Sequence, residues 1–97
     1  MQVRFEWDEA KSKSNLRKHR ISFETAMLAF KDPNSLTEQD REIGGEVRWR
    51  TIGMVGGQLI LFVAHTVVER EEEIVRIISA RKASPTERRE YEEEPYR

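Results

Sequence analysis

The sequence predicts a single α+β domain: an antiparallel sheet of four to five strands, two N-terminal helices on one side of it, and a C-terminal helix. Three observations predict it. Apolar and polar residues alternate at the period of a strand in several segments, most plainly in Val47-Arg48-Trp49-Arg50-Thr51-Ile52. Two stretches carry helix-start signatures, Ser22 before Phe23 and Ser84-Pro85-Thr86-Glu87. The later strands are separated by turns too short for the crossover that parallel neighbours need, so that part of the sheet is antiparallel. A length of 97 residues gives one domain, residues 1–97, and one thin core.

Val3, Phe5 and Trp7 alternate with Arg4 and Glu6, which gives a first strand over about residues 2–7, and Asp8 follows as a helix N-cap. The first helix, DEAKSKSNLRKHR, is polar and basic, with Ala10 and Leu16 as its expected core contacts. In the second helix, opened by Ser22, residues Phe23, Ala26, Met27 and Phe30 share one face, and Asp32-Pro33-Asn34 ends it. Residues 35–43 read as a short edge strand or as a loop. The strand over residues 47–52 leads to Gly56-Gly57, a hairpin signal because both glycines tolerate positive φ. QLILFVAHTVV is apolar at odd and even positions from Leu59 to Ala64, so both faces of that strand are expected to be covered. After the acidic turn EREEE, EIVRIISARKA forms the last strand. The third helix runs from Ser84 toward Glu94, with a flexible tail from about residue 95. The two early helices pack on one face, leaving the other for the third helix and a site.

Hydrophobic residues make up 37% of the chain and charged ones 36%, so the surface is densely charged. With 17 basic and 18 acidic side chains, net charge is no argument for a nucleic-acid partner, and the position of the charges has to carry any such case. No cysteine is present, which excludes disulfides and thiolate metal sites, and the two histidines lack zinc-site spacing. No phosphate-binding glycine loop is present either, since Gly44-Gly45 and Gly56-Gly57 precede strands rather than helices. No metal or cofactor is therefore expected. The start MQVRFEWDEA has no signal-peptide stretch, and the longest apolar run, Leu59 to Ala64, is too short for a bilayer. The expected location is the cytoplasm, without membrane contact.

The candidate arginines on the strands are Arg48, Arg50, Arg76 and Arg81. A guanidinium stays protonated and grips two phosphate oxygens with its planar fork, so such residues point to phosphodiester chemistry. Cleavage by a neighbouring hydroxyl also needs proton handling, for which His65 and Tyr91 are the candidates. Each residue has a structural alternative. Arg48 and Arg50 occupy solvent-facing strand positions. Arg76 has apolar strand neighbours, and a buried guanidinium there needs a partner such as Glu46, Glu69 or Glu87. His65 continues the Leu59, Leu61, Val63 parity, the place of a hydrogen-bonded core histidine. Tyr91 by default packs its ring under the helix with its hydroxyl outward. His19 reads as a helix C-terminal residue favoured by the dipole.

The segments FEWDEAKSKSNLRKHRISFETAMLAFKDP, EVRWRTIGMVGGQLILFVAH and IVRIISARKASPTERREYEE together resemble the BrnT family of bacterial toxins, which has a RelE-like ribonuclease fold. The most specific pieces are WDEAK with NLRKH, the step from Glu46 to Arg48, and IISARKA followed by ERREY. The resemblance implies a type II toxin that cleaves mRNA by metal-independent attack of the 2′-hydroxyl and so halts translation. It further implies a BrnA-type antitoxin as protein partner, contact with DNA only through the antitoxin complex, and a toxin dimer within a toxin–antitoxin heterotetramer. RNA is then expected across the sheet face near the last helix. On that reading Arg76 and Arg81 handle phosphate and transition-state charge, Arg48 and Arg50 bind the RNA backbone, and His65 or Tyr91 transfers protons. Two departures from the family pattern stand out: Arg20 where a glycine is expected after Lys18-His19, and a long acidic turn, VVEREEE, that opposes RNA approach. The competing readings are a protein-interaction module and an RNA- or ribosome-binding protein that does not cut.

Overall fold

The computed structural model describes residues 2–93, which form five strands and three helices. In chain order they are β1 (Val3–Glu6), α1 (Glu9–His19), α2 (Phe23–Leu28) continued by a 3-10 turn (Ala29–Lys31), β2 (Leu36–Ile43), β3 (Glu46–Val55), β4 (Leu59–Glu69), β5 (Glu73–Lys82) and α3 (Pro85–Glu93). The sheet order is β1-β5-β4-β3-β2. The late strands pair antiparallel through short turns as expected, but β1 lies parallel to β5, so the sheet is mixed rather than antiparallel throughout. The reason is topological: the whole of α1, α2 and three strands separates β1 from its neighbour, so no hairpin constrains its direction. Residues 35–43 resolve as the edge strand β2. Glu94 and the tail from residue 95 lie outside the described residues. Among the described residues no helix is long and apolar enough to cross a membrane.

The core lies between the sheet and the N-terminal helices. Ile21, Phe23, Ala26 and Ala29 pack on Leu61, Val63, Val75, Ile77 and Ala80. Phe5 and Trp7 extend it through edge-to-face contacts with Phe30 and Phe23. Gly53 lets the 3-10 turn approach β3 closely: a Cβ there would sit 2.3 Å from the Ala29 carbonyl oxygen.

The first helix docks differently from expectation. Ala10 is exposed and Leu16 is 47% exposed, while the buried residues of α1 are Ser12 and Asn15. Asn15 donates to the carbonyls of Ile21 (2.8 Å) and Ala80 (2.7 Å) and accepts from the Ala80 N–H (3.2 Å). Ser12 Oγ accepts from the Phe23 N–H at 3.1 Å. Because β1 pairs with β5 only through Arg76, the edge of β5 beyond it is open, and the Asn15 amide takes the place a strand would fill. The helix then ends on Arg20, which adopts the left-handed conformation (φ 63°) that the sequence flagged, its N–H donating to Leu16 O.

The Ser84–Glu87 signature forms the capping box it predicts: Ser84 Oγ accepts from the Glu87 N–H, and Glu87 Oε1 accepts from the Ser84 N–H. This helix packs mainly against β3, on the face opposite the core, where Ile52 is fully buried.

Candidate nucleic-acid interface

Register and alternation sort the polar residues between the two faces. On the open face, Arg50 lies opposite Ala64 and Glu38, and Arg81 lies opposite Phe62. Two irregularities shape this surface. In β2 the register slips between Gln39 and Glu42, so Asp40 and Arg41 bulge opposite Arg48. In β5 the pairing steps from Ser79 to Ile77, leaving Ile78 unpaired. Between these bulges runs a groove of about 300 Å³, floored by Phe62, Ala64, Ile78 and Ser79 and walled by Asp40, Arg41, Ile43, Arg48 and Arg81.

Arg81 is the best-anchored cation of the groove. Its two terminal nitrogens donate to the two carboxylate oxygens of Glu87, at 2.7 and 2.9 Å, and its guanidinium lies 4.2 Å over the Phe62 ring. The Glu87 hydrogen bonds hold Arg81 above the usual guanidinium range, and the same contact holds the Glu87 carboxyl below the usual carboxylate range. Since Glu87 is also the third residue of the α3 capping box, the start of that helix and the position of the guanidinium are fixed together. Arg48 leans on Glu46 at 3.2 Å and keeps 26% of its side chain exposed. Arg50 bridges Glu38 (3.3 Å) and Glu90 (3.2 Å), tying β2 to α3 beside the groove.

Besides Arg50, three more of the expected site residues stand outside the groove. Arg76 is on the same face but toward β1, paired in register with Glu6 and Thr66. Its side chain is 47% exposed and lies 3.6 Å from Glu6, so it is neither buried nor held by Glu46, Glu69 or Glu87. The short β1 leaves its flank open to solvent, which removes the desolvation that a buried guanidinium would suffer. His65 is on the other face, 1% exposed, packed edge-to-face on Phe30. Its Nδ1–H donates to Thr66 O, which leaves Nε2 to accept from the Thr51 hydroxyl at 2.8 Å, and Thr51 is joined in turn to Thr37. Burial lowers its pKa to about 4, so the ring is neutral at pH 7. Tyr91 is 6% exposed, and its hydroxyl donates to Asp32 instead of pointing outward. Asp32 also accepts from the N–H groups of Met54 and Asn34, which moors α3 to the edge of β3.

Sequence reasoning missed Asp40, Arg41, Phe62 and Ser79. A broken alternation in TEQDREI was the available signal for the first two, because a bulge is where period two fails. A hollow of about 400 Å³ lies at the corner between Leu28–Pro33 and Met54–Gly57, but among the described residues Lys31 is the single cation lining it. Among the described residues no three His, Asp or Glu side chains are grouped as a metal site.

A family model described as the ribonuclease toxin BrnT of type II toxin–antitoxin systems matches residues 7–87. The chain belongs to the BrnT family. No curated protein matches it. Among solved structures, the crystal structure of the Brucella abortus ribonuclease toxin BrnT aligns with a TM-score of 0.61 at 26% identity, covering 87% of this chain and 99% of that one. BrnT toxins are ribonucleases of type II systems, a class defined by a protein antitoxin partner. In this BrnT-family chain the matched region contains the whole groove, from Asp40 to Arg81, and Glu87, which holds Arg81.

Proposed function

We propose that the chain cleaves RNA in the open-face groove without a metal ion, by attack of a ribose 2′-oxygen on the adjacent phosphorus. The O2′–P bond forms and the P–O5′ bond breaks. The 2′ proton passes to a base and the departing 5′-oxygen gains a proton, leaving a 2′,3′-cyclic phosphate and a 5′-hydroxyl. The observation that carries this reading is the convergence of Arg48 and Arg81 on one groove, with Arg81 fixed by two hydrogen bonds to Glu87. A guanidinium already held in position stabilises charge on the phosphoryl oxygens without reorganising as the reaction proceeds. Arg81 takes the transition-state charge, Arg48 and Arg50 hold the backbone, and Arg76 is an outer phosphate contact. Neither His65 nor Tyr91 lines the groove, so proton removal falls to Asp40, the carboxylate at its rim. Tyr91 acts by holding α3, and with it Glu87, in place.

The partner in this reading is a BrnA-type antitoxin, bound in a heterotetramer around a toxin dimer, and DNA is reached only through that complex. The test is incubation of the purified protein with RNA in EDTA. Cleavage is expected to persist, to yield 2′,3′-cyclic phosphate ends, to spare 2′-O-methyl RNA, and to fall in Asp40→Asn. Products with 5′-phosphates, or activity restored only by a divalent ion, overturn the mechanism. Absence of any complex with the product of the neighbouring open reading frame overturns the pairing.

A further inference from the structure

We propose that the RNA path does not end at the groove but continues over the kink in β5 onto α1, where Lys11 and Lys18 hold the phosphates of the strand beyond the cleavage position. The inference rests on the RNA reading above. A second hollow, of about 180 Å³, lies between α1 and β5 and is lined by Lys11, Ser14, Lys18 and His19 with Ile78 and Ser79. Ile78 and Ser79 also floor the groove, so the two hollows meet at the bulge. The fold explains why a channel opens there. β1 stops pairing at Arg76, a helix rather than a strand borders the rest of β5, and Asn15 satisfies the Ala80 backbone from that helix.

Pairing separates the two channel lysines from the arginines of the sheet. Every arginine named on the sheet has a carboxylate within 4 Å, whereas Lys11 and Lys18 are exposed and have no such neighbour among the described residues. The two acids of this segment are occupied at its start: Asp8 caps the helix and Glu9 accepts from the Trp7 ring N–H. A lysine with no internal partner binds a phosphate without first breaking an ion pair, and its flexible point charge suits a backbone whose sequence varies. Lys11, Ser14 and Lys18 share one helical face, with the two lysines about 10 Å apart along the axis. Lys13 and Arg17 are also exposed on the same helix but do not line the channel.

That last pair supplies the control. The probe is a 2′-O-methyl oligouridylate of about twelve nucleotides, long enough to leave a groove-sized site and not cleavable by the proposed route. Its affinity is measured against salt for the parent, K11A/K18A and K13A/R17A, with cooperative unfolding checked for each. K11A/K18A is expected to bind about tenfold more weakly, with a salt slope flatter by about 1.4, the value for two single-strand phosphate contacts. K13A/R17A, which removes the same charge, is expected to stay within about twofold. Equal losses in the two variants overturn the channel in favour of general attraction, and unchanged binding in K11A/K18A overturns it outright. So does a variant that loses antitoxin affinity while keeping RNA affinity, because the patch then belongs to the protein partner. A parent that binds the probe but leaves the unmethylated oligonucleotide intact removes the cutting mechanism and keeps the channel. A parent that binds neither removes both.

Discussion

On the helix-covered face of the sheet, Ser12, Asn15, Thr51 and His65 are buried, and each finds a protein hydrogen-bond partner. On the open face, Arg48, Arg50, Arg76 and Arg81 keep between 25% and 47% of their side chains exposed, and each is tied to a carboxylate. The comparison teaches how to separate structural polarity from functional polarity. A buried group that is neutral and fully hydrogen-bonded has nothing left for a ligand, and its removal acts on folding. A half-exposed cation paired at one edge keeps donors for a phosphate, and its removal acts on chemistry or binding.

The sharpest test of the open face is Arg81→Ala. Loss of a charge donor preorganised by Glu87 is expected to lower the single-turnover cleavage rate by about 10²–10³-fold while the unfolding midpoint shifts little. Arg81→Lys is expected to rescue only part of this, because an ammonium cannot span both Glu87 oxygens and the Phe62 ring. An Arg81→Ala enzyme at parental rate breaks the comparison on its functional side.

Asn15→Ala is the matching test of the covered face. It strands the N–H and carbonyl of Ala80 and the carbonyl of Ile21, and is expected to destabilise the fold by about 3 kcal/mol in urea unfolding. Leu16→Ala, at a half-exposed position, is expected to change it by less than about 0.5 kcal/mol. This inverts the sequence expectation, and the inversion marks where legibility ended. Local signals were readable: the Ser84–Glu87 box, the Gly56-Gly57 turn, the alternation of β3 and the parity of His65 all describe what the chain does within a few residues. Hydrophobic periodicity is blind to a helix that docks by an amide, since Asn15 looks like any solvent-facing residue until the bare edge of β5 meets it. The parallel pairing of β1 and the bulge that brings Asp40 and Arg41 over Arg48 also depend on distant partners, so the groove was legible as a set of arginines and not as a place.

The pH dependence of stability tests the covered face more gently. The His65 pKa falls from 6.5 in the unfolded chain to about 4 in the fold, so between those values the unfolded state binds the extra proton. The stability from keeping the ring neutral is fully present above pH 6.5 and declines as the pH falls toward 4. Moving from pH 7 to pH 5 is therefore expected to cost about 2 kcal/mol of unfolding free energy, a difference that His65→Gln should largely abolish. If the parent and His65→Gln lose stability in parallel, the ring is not the buried neutral group that its Thr51 and Thr66 contacts describe.

Arg76 gives the smallest expected effect and separates two versions of the open face. Were any arginine on that face equally useful, Arg76→Ala would impair cleavage as much as Arg81→Ala. The geometry argues otherwise: its partner Glu6 is 3.6 Å away and half-exposed, no bidentate contact orients its fork, and the groove lies beyond it toward β3. A loosely held cation at the margin contributes equally to substrate and transition-state binding, so its loss appears in KM and not in kcat. Arg76→Ala is expected to raise KM by about two- to threefold with kcat unchanged, and to leave thermal stability within error. A kcat deficit approaching that of Arg81→Ala would move the reacting phosphate toward β1, and the row running from Arg76 to Glu6 would replace the pair of bulges as the centre of the site.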